Sequence, residues 1–222
     1  MNVPDKTRRL YDVEAANYAS RSDIKVPGTT RKLYSQEIAS ALGGAAGRKA
    51  LDVGTGTGFL AGLLLKLGYR VWGADSSPNM LKQAKKKYRQ AHFATFYVER
   101  SSTRYARGSF DVIISRQVVC HFVNPITTFG IWYRWLRPAG YVVVIDAFWR
   151  RKDWIGNWRQ LVDHLPLACT ETCAPVCYML TQAGFSIKAA GLMDLVNKDE
   201  RRRSRSAAWK PKERYMVAAQ KV

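Results

Sequence analysis

Residues 51–60 read LDVGTGTGFL: an apolar run ends in an acid, three glycines follow at every second position, and apolar residues then return. A glycine-rich turn between a strand and a helix lets the backbone approach a ligand and aims helix N–H groups at it. The dinucleotide fingerprint G-x-G-x-x-G would need its third glycine at position 59, which is Phe59. The stretch therefore predicts a ligand site at the end of a strand and argues against a dinucleotide.

Strand and helix patterns alternate along the rest of the chain. We predict strands at residues 48–54, 69–75, 92–98, 109–115, 140–148, 186–192 and 214–222, and helices at residues 57–68, 77–90, 125–136 and 174–185. Such alternation indicates an α/β fold with a mostly parallel sheet covered on both faces. No helix is expected between the last two strands, which should pair antiparallel near the sheet edge. Residues 198–212 are expected to form a mobile basic loop.

Composition limits the class of protein. The chain has 222 residues, of which 47% are hydrophobic and 24% charged, which is enough for one well-buried domain. No run reaches the roughly 18 apolar residues of a membrane span, and residues 1–18 lack the apolar core of a secretory signal. We therefore expect a soluble cytoplasmic protein.

The cysteines are few and clustered. They are Cys120, Cys169, Cys173 and Cys177. Because they are too few for a disulfide framework, we expect a reducing compartment. The last three have the spacing C-x3-C-x3-C and lack the further ligands of a zinc set, so we predict buried or half-buried thiols and no metal.

Positive charge is the unusual bulk property. The net charge is +19 and the sequence pI is near 10.1, with the excess in residues 82–89, 149–152 and 198–214. Such a field attracts polyanions, so a nucleic-acid partner is one interpretation. A solvated basic surface is the other, and it is favoured because no nucleic-acid module accompanies the charge.

Further blocks extend the opening motif into a family pattern. The stretches DVGTGTG (52–58), GADSSPNML (73–81), VERSS (98–102), GSFDVIISRQVVCHF (108–122) and WLRPAGYVVVID (135–146) follow in order. Together they resemble class I S-adenosylmethionine-dependent methyltransferases, which implies a Rossmann-like, seven-stranded, mostly parallel sheet with an antiparallel last strand. At the amino end, YDVEAANYASR (11–21) is similar to the Y-D-x-x-A-x-x-Y lid of the small-molecule branch (methyltransferase type 11), which includes quinone-biosynthesis enzymes.

The resemblance implies S-adenosylmethionine as the cofactor, with S-adenosylhomocysteine as the product. It implies that Asp75 binds the ribose hydroxyls of the cofactor, since a carboxylate accepts two hydrogen bonds from a diol. Asp75 could instead cap the following helix. Glu99 would meet the adenine amino group, although Arg100 replaces the family's usual small residue. The full predicted cofactor set is Tyr18, Arg21, Asp52, Gly54, Gly56, Gly58, Asp75, Ser76, Met80, Glu99, Arg100, Ser101 and Arg116.

Four regions are expected: a helical lid (1–45), a cofactor-binding core (46–148), an insertion beside the acceptor pocket (149–172) and a C-terminal helix with two strands (173–222). His121 is the candidate general base, needed for O- or C-methylation and dispensable for a basic amine. It could instead be a structural residue of its turn. The predicted acceptor-binding set is Tyr11, Gln117, His121, Phe148, Trp149 and Trp154, and the alternative is that the aromatic residues form a small secondary core.

The predicted function is methyl transfer to a small molecule, on an amine nitrogen or an aromatic or other hydroxyl oxygen, plausible in specialised metabolite biosynthesis. An RNA or protein methyltransferase would exploit the basic surface, but strand four is followed by SRQVV rather than an N/D-P-P-Y/F motif. A non-catalytic binding protein would be expected to lose the glycines or the ribose acid, and this chain keeps them.

Overall fold

The computed structural model describes residues 2–18, 26–204 and 211–222. Within these ranges the helices are α1 (Val3–Tyr18), α2 (Gly28–Leu42), α3 (Phe59–Lys66), α4 (Pro78–Lys87), α5 (Pro125–Trp135), α6 (Ala174–Gln182) and α7 (Asp194–Arg203). The strands are β1 (Lys49–Val53), β2 (Arg70–Asp75), β3 (His92–Thr95), β4 (Phe110–Arg116), β5 (Leu136–Ala147), β6 (Phe185–Leu192) and β7 (Arg214–Lys221). No helix in the described ranges is long and apolar enough to cross a membrane.

The strands form one sheet in the order β3-β2-β1-β4-β5-β7-β6. β3, β2, β1, β4 and β5 run parallel, whereas β7 is antiparallel to both of its neighbours. This confirms the predicted seven-stranded, mostly parallel fold with an antiparallel last strand. The strand order reverses between β1 and β4, and ligands of such sheets bind in the crevice outside the carboxyl ends at that point.

Apolar side chains of the central strands alternate between two buried cores. In β4, Ile113 belongs to one core, while Val112 and Ile114 belong to the other. The first core contains α5 and α6, including the fully buried Trp132 and Trp135, and the second contains α2 and α3. Because both faces are covered, residues 112–114 of β4 form a continuous apolar run, as expected for a parallel sheet.

The helix α7 corrects two expectations. It lies between β6 and β7, which were predicted to follow each other directly, and it contains residues 198–203 of the predicted mobile loop. Residues 205–210 of that loop lie outside the described residues. The sequence DLVNKDERRR hides the helix because its buried positions include Asn197, Asp199 and Glu200, which are polar.

The two buried acids of α7 form ion pairs with arginines of the basic segment. Asp199 accepts a hydrogen bond from Thr30 Oγ1 at 2.6 Å and pairs with Arg202 and Arg203, while Glu200 pairs with Arg214. Burial alone would raise the pKa of Asp199, but these donors lower it overall. Arg214 of β7 therefore holds α7 against the sheet, whereas Arg202 and Arg203 pair within the helix.

Shorter segments also differ from prediction. β3 ends at Thr95, and a 3₁₀ turn occupies residues 98–100. Residues 149–172 contain three 3₁₀ turns, at residues 151–153, 156–160 and 162–164. α2, within the predicted lid region 1–45, contributes Tyr34, Ile38 and Leu42 to the second core. α1, from the same region, contacts α4 instead.

Candidate functional site

The turn between β1 and α3 forms the floor of the site. Gly54 has a φ of +66°, and a Cβ there would lie 2.2 Å from Cγ2 of Val118 in the loop after β4. A side chain is therefore excluded by both backbone conformation and space. Gly58, at the start of α3, has a φ of +89°, and a Cβ there would lie 2.7 Å from the Tyr88 ring. The turn thus brings bare backbone against β4 and α4.

Asp75 lies beside this turn, at the end of β2. Its two oxygens accept hydrogen bonds from the backbone N–H groups of Gly56, at 2.8 Å, and Ser77, at 2.9 Å. Burial raises the pKa of Asp75 to about 6, with the nearby Asp12 adding to the shift. Ser77, not Asp75, caps α4, because its Oγ accepts the Met80 N–H at 3.1 Å. The Asp75 carboxylate therefore retains acceptor capacity for a ligand.

Asp52 lies below the turn and is 1% exposed. Its Oδ2 accepts hydrogen bonds from Thr55 Oγ1 at 2.6 Å and from Ala61 N at 3.0 Å. Burial raises the pKa of Asp52 to about 7 despite these donors. Asp52 therefore ties the glycine turn to the first turn of α3.

The helix α1 is docked on the amino end of α4. Asp12 Oδ1 accepts hydrogen bonds from Ser77 Oγ at 2.7 Å and from the Asn79 N–H at 3.2 Å. One turn further on, Gln83 Nε2 donates to the Ala15 carbonyl at 2.8 Å. The lid is thus attached to the same loop that presents Asp75.

A hydrogen bond joins the lid to the loop after β4. The Tyr11 hydroxyl lies 2.6 Å from His121 Nε2, and the two rings meet edge to face. Burial lowers the pKa of His121 to about 4 and raises that of Tyr11 well above its ordinary value. Both groups are therefore neutral near pH 7. His121 Nδ1 has no hydrogen-bond partner within the described residues.

One cavity of about 900 Å³, including its open mouth, lies between the glycine turn and α1. It brings together eleven predicted site residues: Tyr11, Tyr18, Asp52, Gly54, Gly56, Asp75, Ser76, Met80, Arg116, Gln117 and His121. Tyr11 and Tyr18 share one face of α1, as predicted, with ring centroids 6.1 Å apart. Arg21 lies outside the described residues.

The loop after β4 contributes two features to this wall. Gln117 has a φ of +56°, a left-handed conformation that non-glycine residues seldom adopt and that concentrates at functional sites. The guanidinium of Arg116 lies 4.4 Å from the centroid of the Phe59 ring, which holds a positive charge at the cavity wall.

Several predicted residues do not line the cavity: Gly58, Glu99, Arg100, Ser101, Phe148, Trp149 and Trp154. Glu99 instead accepts hydrogen bonds from the Tyr97 hydroxyl and, at 2.7 Å, from the Asn124 N–H. Arg100 lies over the Tyr97 ring, and Ser101 Oγ donates to the Tyr97 carbonyl. The β3 loop therefore turns Tyr97 and Val98, rather than Glu99, toward the cavity.

The tryptophans of the insertion form the predicted alternative, a secondary core. Trp154 is 8% exposed and donates to the Ala168 carbonyl, and Trp149 donates to Asp146. Phe148 stacks on Tyr215, away from the cavity. This core supports the site from behind, because Trp154 and Trp158 both contact the His121 ring.

Sequence reasoning missed part of the lining: Thr7, Thr55, Phe59, Phe96, Tyr97, Val98, Val118 and Phe122. Thr7 could have been predicted to line the cavity, since it lies one helical turn before Tyr11 and therefore on the same face of α1. The residues after β3 carry none, because that strand ends earlier than its apolar pattern indicates.

Comparison with known proteins agrees with this geometry. Residues 51–144 match the model of a methyltransferase domain. The match begins within β1 and ends within β5. These residues form a class I methyltransferase domain. Its cofactor is S-adenosylmethionine.

The methyltransferase domain has named relatives. Demethylmenaquinone methyltransferase of Chlorobaculum parvum is 36% identical over 99 residues, which are 44% of this chain and 40% of that protein. Phosphoethanolamine N-methyltransferase 1 of Arabidopsis thaliana is 34% identical over 106 residues, 45% of this chain and 21% of that protein. The chain therefore aligns with less than half the length of these two relatives.

A solved structure shares the whole fold. Phosphoethanolamine N-methyltransferase 2 of Haemonchus contortus, in complex with phosphomonomethylethanolamine and S-adenosylhomocysteine, superposes with a TM-score of 0.73 at 18% identity. The superposition covers 100% of this chain and 60% of that chain. The arrangement of sheet and helices is thus common to this chain and to the part of that protein it covers.

The cavity of the methyltransferase domain fits the cofactor. The backbone is open to the cavity at Gly56, where the nearest atom to an added Cβ would be the Gly54 carbonyl oxygen, at 4.0 Å. The Asp75 oxygens accept backbone N–H groups and have lone pairs left for a diol. Arg116 supplies a positive charge at the wall, which suits a carboxylate. The buried carboxylates of Asp52 and Asp75 suit a cation, because each would be better ionised beside a positive charge.

Proposed function

We propose that the protein transfers a methyl group from S-adenosylmethionine to a small-molecule acceptor held between α1 and the loop after β4. The acceptor atom is an amine nitrogen or a hydroxyl oxygen, and a role in specialised metabolism fits this choice. The observation that carries the proposal is the 2.6 Å hydrogen bond between the Tyr11 hydroxyl of α1 and His121 Nε2. It puts a candidate base in the wall of the cavity that the glycine turn and Asp75 also line.

A small acceptor is favoured over a macromolecule by the position of α1. The helix is attached to the Asp75 loop through Asp12 and to His121 through Tyr11, so it covers the cavity from two sides. An acceptor must therefore fit beneath a helix. The exposed lysines of α4, Lys82 and Lys85 among them, lie on the solvent side of their helix and do not line the cavity.

Positioning is the main contribution of the protein to the reaction. The cofactor supplies an activated methyl group, so the acceptor atom must be held in line with it and water excluded. Tyr11 and Tyr18 line the lid side, and Val118 and Phe122 line the opposite wall. These side chains restrict the acceptor mostly through apolar contact.

His121 would take the proton of a hydroxyl acceptor. At pH 7 it is neutral, so a lone pair is present on one ring nitrogen, and the Tyr11 bond decides which one. If Tyr11 donates to Nε2, the proton is on Nδ1, and if Nε2 donates to Tyr11, Nδ1 has the lone pair. The low pKa of His121 disfavours an isolated imidazolium, but the cofactor, when bound, would supply a sulfonium charge that is lost on methyl transfer. The total charge of the pocket is therefore unchanged.

Methyl transfer from tritiated S-adenosylmethionine tests the proposal. Wild-type protein and His121→Ala would be offered aromatic hydroxyl compounds, primary and secondary amines, and a structured RNA. We expect label in a small molecule, with a loss of about 100-fold in His121→Ala for a hydroxyl acceptor and little loss for a basic amine. Label in RNA alone, or none in any acceptor while S-adenosylhomocysteine still binds, would overturn the proposal.

A further inference from the structure

We infer that Thr7 of α1 binds a hydroxyl group of the acceptor, and that the acceptor is an uncharged, largely aromatic molecule carrying such a group. This inference rests on the proposed function, because it assigns the acceptor of the same cavity. Thr7 and Ala15 are the buried residues of α1, and Thr7 is the polar one of the two.

The Thr7 side chain is buried without a partner. The residue is 5% exposed and lines the cavity, and its Oγ1 makes no hydrogen bond within the described part of the chain. A buried hydroxyl left unpaired destabilises the folded protein. A threonine in a helix can usually bond a carbonyl in the preceding turn, as Thr128 does to the Asn124 carbonyl at 2.9 Å. Thr7 makes no such bond.

The position of Thr7 assigns it to the acceptor rather than to the cofactor. It precedes Tyr11 by four residues, so both side chains project from one face of α1. Tyr11 bonds His121, the candidate base. The groups that suit the polar parts of the cofactor, Asp75 and the glycine turn, lie on the sheet side of the cavity. Thr7 therefore extends the acceptor-facing surface by one helical turn.

The chemistry of this surface defines the acceptor class. Aromatic side chains suit a flat apolar body, and such chains line the cavity at Tyr11, Tyr18 and Phe122. A neutral hydroxyl pairs with another hydroxyl without burying a charge, whereas a charged group would lose its hydration there. His121 Nδ1, also buried and unpartnered within the described residues, adds a second polar contact on the same ring that Tyr11 holds.

The test is equilibrium binding of two matched probes to protein saturated with S-adenosylhomocysteine. The probes are 1-naphthol and 1-methylnaphthalene, which differ by a hydroxyl in place of a methyl group, and binding is followed by ligand-observed NMR. We expect wild-type protein to bind 1-naphthol about 3- to 10-fold more tightly, the value of one hydrogen bond. Thr7→Val should remove this preference, and Thr7→Ser should retain it. Thr128→Val, a buried threonine outside the cavity, should keep it unchanged.

Each other outcome overturns the inference. These are the absence of a preference in wild-type protein, an unchanged preference in Thr7→Val, and weaker binding of S-adenosylhomocysteine in Thr7→Val, which would put Thr7 on the cofactor. Methyl transfer measured on the same samples separates the two proposals. If Thr7 sets the preference for 1-naphthol but no methyl group is transferred to any small molecule, the proposed reaction is wrong. The inference about Thr7 would then stand.

Discussion

Replacing Asp75 with asparagine should weaken cofactor binding strongly while preserving the fold. The carboxylate already accepts the N–H groups of Gly56 and Ser77 and would receive two ribose hydroxyls as well. An asparagine keeps one acceptor oxygen. Its NH₂ group, which cannot accept a hydrogen bond, takes the place of the other oxygen, next to a backbone N–H or a ribose hydroxyl. One hydrogen bond to a charged acceptor is therefore lost, about 1.5 to 3 kcal/mol, which is an increase of about 10- to 100-fold in Kd.

The same carboxylate makes binding depend on pH. Because the pKa of Asp75 is raised to about 6, the ionised acceptor is complete at pH 8 and is lost as pH falls through 6. Wild-type affinity for S-adenosylhomocysteine should therefore fall between pH 8 and pH 5, and Asp75→Asn should remove most of this dependence. Since Asp52 has a raised pKa as well, a smaller dependence should remain in the variant.

Calorimetric titration with S-adenosylhomocysteine measures both effects, and Asp111→Asn is the matched control. Asp111 lies at the opposite end of the sheet, where it accepts the Lys49 N–H and pairs with Arg137. Unchanged affinity in Asp75→Asn would refute the reasoning, and so would an equal loss in Asp111→Asn.

Three further substitutions and one pH profile test the same geometry. Gly54→Ala should lower the free energy of unfolding by about 2 to 4 kcal/mol and abolish S-adenosylhomocysteine binding, because the new Cβ meets Val118 at a positive φ; a stable variant that binds would contradict this. Tyr11→Phe should reduce kcat about tenfold with an unchanged Kd for S-adenosylhomocysteine, and a wild-type kcat would show that the hydrogen bond is idle. The pH profile of kcat should be flat from pH 5.5 to 8 with respect to His121, whose pKa is about 4, so a titration near 6.5 that vanishes in His121→Ala would disprove its burial. Asp12→Ala should raise the acceptor KM about tenfold by releasing α1 from α4, and an unchanged KM would show that the lid is held elsewhere.

Local sequence was sufficient for the cofactor half of the site. The glycine turn and Asp75 belong to a strand-turn-helix unit in which a few neighbouring residues fix the backbone. Their positions in the cavity follow from that unit and from the parallel order of β1, β2 and β4. Tyr11 and Tyr18 were predictable for a similar reason, because helical periodicity puts both on one face of α1.

Elements whose roles depend on distant partners were not predictable. Glu99 follows β3 as the family pattern requires, but its carboxylate is occupied by Tyr97 and by Asn124, 25 residues away. The helix α7 reads as a charged loop until Asp199 meets Thr30, which lies 169 residues earlier. The position of Thr7 on the Tyr11 face of α1 follows from helical spacing, but its burial without a hydrogen-bond partner among the described residues does not.

Hydrogen–deuterium exchange with and without S-adenosylhomocysteine tests the central claim most directly, because it reports binding and location together. The claim predicts slower exchange in residues 53–58 and 74–77, a smaller protection in α1, and no change in α7. The claim would be contradicted by an absence of protection at saturating ligand, or by protection confined to the basic residues of α4 and α7.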